Sequence, residues 1–166
     1  MQSYQLVEAL TQAILVDDLP ECRLLLQRGA PLDLPGLLSP WFVAVCANKH
    51  TAMRLLLEHG ADPNGYWRLR NFAGLGRRHY GEETLAPEGM DEMSALAFAL
   101  AYWDDSGDAV LLAERPIPPE ALKPKLETLA ILLEAGADPK RKNRAGLTPL
   151  DEAYRTRCPA LVQCLT

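Results

Sequence analysis

The sequence predicts an all-α fold built from repeated helical units, and two observations carry this prediction. The 166 residues include 30 Leu and 22 Ala but only 6 Val and 3 Ile. Leu and Ala favour helices, whereas β-branched residues favour strands. In addition, three leucine-rich segments each end at a Gly, at residues 29, 60 and 136. Gly commonly follows a helix C-terminus because it adopts positive φ without steric cost, so a unit that ends in a helix recurs along the chain.

Composition and charge fit one domain in the cytoplasm. The formal net charge is −5, and 48% of the residues are apolar. The longest charge-free stretch, residues 34–48, is interrupted by prolines, so no membrane span is expected. Glu8 stands where a signal peptide would be apolar, and the four cysteines form no CxxC pair, which favours free thiols in a reducing cytoplasm. The excess of Arg over Lys, 12 to 5, favours a GC-rich bacterial source.

The repeated segments share a specific motif. Residues 24–30 read LLLQRGA, residues 55–64 read LLLEHGADPN, residues 131–139 read ILLEAGADP, and residues 146–153 read GLTPLDEA. This pattern resembles the ankyrin repeat, which begins with G-x-T-P-L-H-x-A and ends with L-L-x-x-G-A-D-x-N. The resemblance implies an ankyrin-repeat solenoid of helix-turn-helix units with projecting β-hairpin fingers, in which neighbouring units stack.

The first two repeats are predicted at residues 1–29 and 30–60 of a single domain, 1–166. The first repeat lacks a T-P-L-H motif and is expected to be an N-terminal cap, with Leu10 and Ala13 in its inner helix. In the second repeat, Ser39 takes the Thr position that opens the inner helix. Asn48 takes the Gly position between the two helices, which is compatible with positive φ.

The third and fourth repeats are predicted at residues 61–136 and 137–166. Ser94 takes the Thr position of the motif in the third repeat, and in the fourth Thr148 is expected to cap the inner helix, with Pro149 at the first helical position. Gly60 and Gly136 are 76 residues apart, far more than one repeat of about 33 residues. Two insertions account for the excess, one near residues 65–92 in a finger and one near 104–125 between two helices. The second insertion is interpreted as structural, with a short helix before a proline-rich return segment.

The finger insertion concentrates residues that are common at protein interfaces. Four Arg and no acid lie between residues 66 and 80, and the next finger is also basic. Arg, Tyr and Trp are enriched at binding hot spots. The alternative is that the aromatic residues pack onto the scaffold and the arginines pair with the acids that follow. The predicted partner-binding residues are Tyr66, Trp67, Arg68, Arg70, Phe72, Arg77, Arg78, Tyr80, Lys140, Arg141, Lys142 and Arg144.

No catalytic, metal-binding or cofactor-binding motif is predicted. The Gly74-Leu75-Gly76 segment lacks the strand and helix of a phosphate loop, and residues 104–108 lack the ligand spacing of a calcium loop. The histidines are interpreted as structural or solvated. Asp151 replaces the His of the ankyrin motif, so its hydrogen bonding is expected to differ.

The resemblance therefore implies a non-enzymatic, monomeric module that binds another protein. The binding face is expected to be the concave surface of fingers and inner helices, and the partner to carry an acidic surface. An inhibitor, such as an immunity protein for a bacterial toxin, is one hypothesis within this class; a scaffold or a secreted effector is another. A second class is nucleic-acid binding by the Arg and aromatic residues of the finger insertion, which the net charge disfavours.

Overall fold

The computed structural model describes residues 2–33, 39–68, 92–100, 102–103, 109–110, 118–143 and 146–166. These residues form eight helices and four short strands, in two compact units, Met1–Asp62 and Pro63–Thr166. Among these residues no helix combines the length and apolar character that crossing a membrane requires. The helices of the first unit are α1 (Ser3–Leu15), α2 (Leu19–Gln27), α3 (Pro40–Cys46) and α4 (His50–Glu58). The second unit contains β1 (Tyr66–Arg68), β2 (Glu92–Ser94), α5 (Ala95–Ala99), β3 (Tyr102–Trp103), β4 (Ala109–Val110), α6 (Pro119–Glu134), α7 (Pro149–Arg155) and α8 (Pro159–Leu165).

The first unit consists of two helix pairs that share one apolar core. Helix α1 packs on α2 and α3, and α4 packs on both α2 and α3. The core contains fully buried side chains from all four helices, including Ile14, Leu25, Phe42 and Leu56. The Ser39 hydroxyl caps α3 by accepting a hydrogen bond from Phe42 N, and it also donates to Leu32 O at 2.7 Å. The helix that the sequence expected to open at Ser39 therefore begins there with a side-chain cap.

The second unit contains four helices that pack on one another. Helix α5 packs on α6 and α7, and α6 packs on α8, with Leu96, Leu132 and Leu161 fully buried. Strands β1 and β2 are antiparallel, with Tyr66 opposite Ser94, and Ser94 is also the cap of α5. The two ends of the finger insertion are thus paired directly beside the first turn of a core helix.

The three glycines that end the repeat motifs are left-handed, as predicted. Gly29, Gly60 and Gly136 have φ of 82°, 93° and 96°. At the last of these, the Gly136 amide donates to Leu133 O and the Ala137 amide to Leu132 O, at 3.0 and 2.9 Å. This pair of bonds is the Schellman C-cap. It explains why Ala follows each Gly, because Ala30, Ala61 and Ala137 are all buried against the end of the preceding helix.

The turns between paired helices use left-handed residues that are not Gly. Asp17, Asn48 and Arg157 have φ of 59°, 52° and 53°. Asn48 was expected in this conformation, and Asp17 forms an ion pair with Lys49 at 2.7 Å. At the third turn the Cys158 amide donates to the Thr156 hydroxyl. That hydroxyl in turn donates to a carbonyl of the preceding helix at 2.6 Å. Arg157 itself has no local feature that favours positive φ.

Helix α6 extends into the region assigned to the second insertion. It begins at Pro119 and includes Pro124 and Lys125, which the sequence placed in a proline-rich return segment. Pro119 is compatible with this because the first helical positions have no intrahelical partner for their N–H groups. Pro124 lies inside the helix, where it supplies no hydrogen-bond donor. The last turns of the insertion are therefore part of the outer helix of the repeat.

Candidate functional site

Asn64 joins the start of the finger insertion to the following finger. Its side-chain Nδ2 donates to Gly136 O at 3.0 Å, and its Oδ1 accepts a hydrogen bond from Asp138 N at 2.8 Å. One amide side chain thus binds a carbonyl and an N–H of a segment more than 70 positions away in the sequence. We call residues 64–66 and 136–142 the finger edge.

Tyr66 and Arg141 form the second connection within the finger edge. The Arg141 guanidinium carbon lies 4.3 Å from the centroid of the Tyr66 ring, within the range of a cation–π contact. Arg141 Nη1 also donates to Asn64 O at 2.9 Å, and Tyr66 Oη donates to Lys142 O at 3.3 Å. Tyr66 is half-buried and paired with Ser94 in the β1–β2 ladder. The tyrosine ring therefore has a fixed position, and so does the guanidinium that lies against it.

The basic turn of the finger edge is held by local hydrogen bonds. Asp138 Oδ1 accepts from Lys140 N at 2.9 Å, and Asp138 O accepts from Arg141 N at 3.4 Å. Within this turn, Lys140, Arg141 and Lys142 are all exposed. Three cations and one acid lie in five consecutive residues, so the local charge is positive although the whole chain is acidic.

Four predicted partner-binding residues meet at the finger edge, namely Tyr66, Lys140, Arg141 and Lys142. The backbones of Trp67 and Arg68 continue β1, opposite Met93 and Glu92. The remaining predicted partner-binding residues lie outside the described residues: Arg70, Phe72, Arg77, Arg78, Tyr80 and Arg144. The ring of Tyr66 is half-buried, and the contact that the structure gives it is with a cation of the next finger.

Two residues of this unit were missed by sequence reasoning. One is Asn64, the last residue of the L-L-x-x-G-A-D-x-N pattern. The pattern identifies it only as part of the repeat motif and not as a functional residue. The other is Lys125, which is 3% exposed and donates from Nζ to Ala99 O at 2.9 Å. Its spacing from Leu129 and Leu132 places it on the buried stripe of α6, and this periodicity was the available signal. Its ammonium group holds the last carbonyl of α5, where the helix dipole favours a cation.

The inner helix of the predicted fourth repeat begins with the cap that was predicted at Thr148. The Thr148 hydroxyl accepts from Asp151 N at 3.1 Å, and Asp151 Oδ2 accepts from Thr148 N at 2.8 Å. Pro149 follows as the first residue of α7. Thr148 and Asp151 form a reciprocal capping box. Hydrogen bonds from the Thr148 amide and hydroxyl lower the pKa of the Asp151 carboxyl.

The side chains that could bind a metal ion are dispersed in the described part of the chain. Among those residues no group of three or more His, Cys, Asp or Glu side chains is arranged to hold a metal ion. His59 Nδ1 donates to Leu55 O at 2.9 Å, so this histidine completes the end of α4. All four cysteines are free thiols, and burial raises the pKa of Cys22 and of Cys164.

Comparison with solved structures shows similarity to the crystal structure of the ankyrin repeat domain of Bcl-3, described there as a unique member of the IkappaB protein family. The TM-score is 0.55 and the sequence identity is 24%. The similarity covers 94% of this chain and 50% of that chain, so this chain spans half the length of the matched structure. No protein-family model and no curated protein matches the sequence.

The helix pairs, left-handed glycines and caps define a protein of the all-α helical-repeat class. Within that class, the structural similarity shows that the chain has the ankyrin-repeat fold. The fold class and the ankyrin resemblance predicted from the sequence are therefore confirmed.

Proposed function

We propose that this chain is a protein-binding module whose finger edge contacts an acidic surface of a partner protein. The ankyrin-repeat fold supports protein binding in general. The observation that carries the proposal is the joining of two fingers by Asn64 and Tyr66. This arrangement presents three exposed cations, residues 140–142, beside the strand where the finger insertion begins.

The charge distribution favours a protein partner with acidic groups. A basic edge on a chain of net charge −5 attracts an acidic surface locally while the rest of the chain repels extended polyanions. Such charge complementarity accelerates association and orients the encounter. In this proposal the predicted residues of the insertion, from Trp67 to Tyr80, extend the same contact and supply its aromatic anchors.

Inhibition is the finer form of this proposal. A small binder inhibits an enzyme when it covers the active site, and an immunity protein for a bacterial toxin is a specific case. The arrangement is equally compatible with a scaffold or with an effector that binds a host protein. A toxin-inhibition assay tests the specific case once a partner has been isolated.

The proposal is tested by crosslinking the tagged full chain in lysate of the source cell and identifying the captured proteins. The test variant combines Lys140→Glu, Arg141→Glu and Lys142→Glu. The control variant combines Arg23→Glu, Arg28→Glu and Lys123→Glu, three exposed positions outside the finger edge with the same change in charge. We expect the test variant to bind the isolated partner about tenfold more weakly or worse at low salt, and the control variant to bind normally.

Two results would overturn the proposal. Equal loss in both variants would mean that only net charge matters. Capture of nucleic acid instead of protein, with an affinity that falls steeply with salt, would support the nucleic-acid alternative.

A further inference from the structure

Arg141 differs from the two lysines beside it because its charged group is fixed. Its guanidinium stacks on Tyr66 at 4.3 Å and donates through Nη1 to Asn64 O at 2.9 Å. Both contacts are themselves held. Asn64 is hydrogen-bonded to Gly136 and Asp138. Tyr66 is hydrogen-bonded to Lys142 and lies in the β1–β2 ladder. The conformational entropy of a long side chain is therefore lost during folding and not during binding.

Among the described residues, the hydrogen-bond acceptor for the exposed Arg141 guanidinium is Asn64 O. Arg141 has five N–H donors, and one is used by Asn64 O. The side chain is exposed, and in the described part of the chain no carboxylate forms an ion pair with it. Asp138 is the acid of the same turn, and its Oδ1 is occupied by the Lys140 amide. The planar fork of Arg141 thus faces solvent with donors in the geometry that matches a carboxylate.

This inference rests on the proposed function. We infer that Arg141 is the residue of the finger edge that recognises the partner specifically. It binds a side-chain carboxylate of an acidic peptide segment through two parallel N–H···O hydrogen bonds. Lys140 and Lys142 attract the same segment but do not fix its geometry, because an ammonium on a flexible stem acts as a point charge. The acidity of the whole chain favours a short acidic segment over a nucleic acid.

The test uses the full chain and a fluorescein-labelled peptide of ten glutamates, with ten glutamines and a ten-nucleotide oligothymidine as comparison probes. Binding is measured by fluorescence anisotropy, and the Arg141 Nε–Hε signal is followed by NMR. We expect the glutamate peptide alone to shift this signal to saturation. Arg141→Lys keeps the charge but is expected to weaken glutamate binding by about tenfold, because the paired hydrogen bonds are lost.

Matched variants separate geometry from charge and from folding. Lys123→Arg keeps the charge at an exposed position outside the finger edge and is expected to bind as the parent does. Tyr66→Phe keeps the stacked ring, whereas Tyr66→Leu removes it and should weaken binding as Arg141→Lys does. Unfolding midpoints in urea identify any variant whose fold has changed, and only variants with the parent midpoint are compared.

The outcomes distinguish this inference from the proposed function. If Arg141→Lys binds glutamate as the parent does, or if the Arg141 signal does not respond to the peptide, the inference is wrong. In either case the proposed function stands as long as partner capture still depends on the charges of residues 140–142. If the oligothymidine shifts the signal more than the peptide, a phosphate-binding role replaces the carboxylate-binding one.

Discussion

Replacing Arg157 by Gly should stabilise the protein, although the change removes a whole side chain. Arg157 has φ of 53°, and the left-handed conformation costs an L residue about 1–2 kcal/mol. Its side chain is exposed and makes no hydrogen bond or ion pair with the described residues, so little is lost with it. Gly also gains freedom in the unfolded chain, which offsets about 0.5–1 kcal/mol. The expected net gain is about 0.5–1 kcal/mol, or about 1–4 °C in the unfolding temperature.

The assay is urea denaturation followed by circular dichroism, supported by calorimetry. Arg157→Ala is the matched control. It removes the side chain beyond Cβ but keeps the Cβ atom, whose steric clash makes the left-handed backbone unfavourable. We expect no gain from this control and an intermediate gain from Arg157→Asn, since Asn tolerates positive φ. Asp17→Gly should gain less than Arg157→Gly, because it also removes the ion pair with Lys49. The reasoning is refuted if Arg157→Ala stabilises as much as Arg157→Gly.

Three further predictions concern the polar contacts of the second unit. Lys125→Ala should lower the free energy of unfolding by about 2–4 kcal/mol in urea, since it leaves a cavity and removes the donor to Ala99 O; a loss below 0.5 kcal/mol would contradict a buried anchor. Asn64→Ala should lower the free energy of unfolding by about 1–2 kcal/mol, because it removes two hydrogen bonds. Asn64→Asp should recover part of this loss, because its carboxylate still accepts the hydrogen bond from Asp138 N; equal losses in the two variants would contradict this. The lowered pKa of Asp151 means that its cap stabilises fully above the unfolded pKa of about 3.9 and loses its effect as the pH falls through the folded value. Asp151→Asn should therefore flatten the loss of stability below about pH 4, which acid titration of the unfolding midpoint measures.

The features predicted from the sequence are those that local backbone geometry determines. Gly136 has a left-handed backbone because a helix must end there, and Thr148 caps because it precedes Pro149 at a helix start. Each inference needs only a few neighbouring residues. Arg157 shows the limit of such reasoning, because its left-handed conformation is imposed by the two helices it joins and not by its own preference.

The finger edge could be predicted only in outline. The ankyrin resemblance implied adjacent fingers, so the proximity of Tyr66 to residues 140–142 was expected. The specific contacts join residues 72 to 77 positions apart across two insertions, and no local pattern encodes which cation meets the ring. Lys125 was missed for a related reason: the prolines around it indicated an irregular segment, whereas the buried stripe of α6 starts there.

The pairing of Tyr66 with Ser94 has a consequence for protein engineering. Residues opposite each other in an antiparallel ladder lie about 4.5–5.5 Å apart, so both ends of the first insertion are anchored at one point beside a capped helix. Closing a longer loop over a fixed base costs only about 0.6 kcal/mol for each doubling of its length. We therefore expect that the segment between β1 and β2 can be replaced by recognition segments of other lengths and compositions while the helices beside the paired strands are left unchanged.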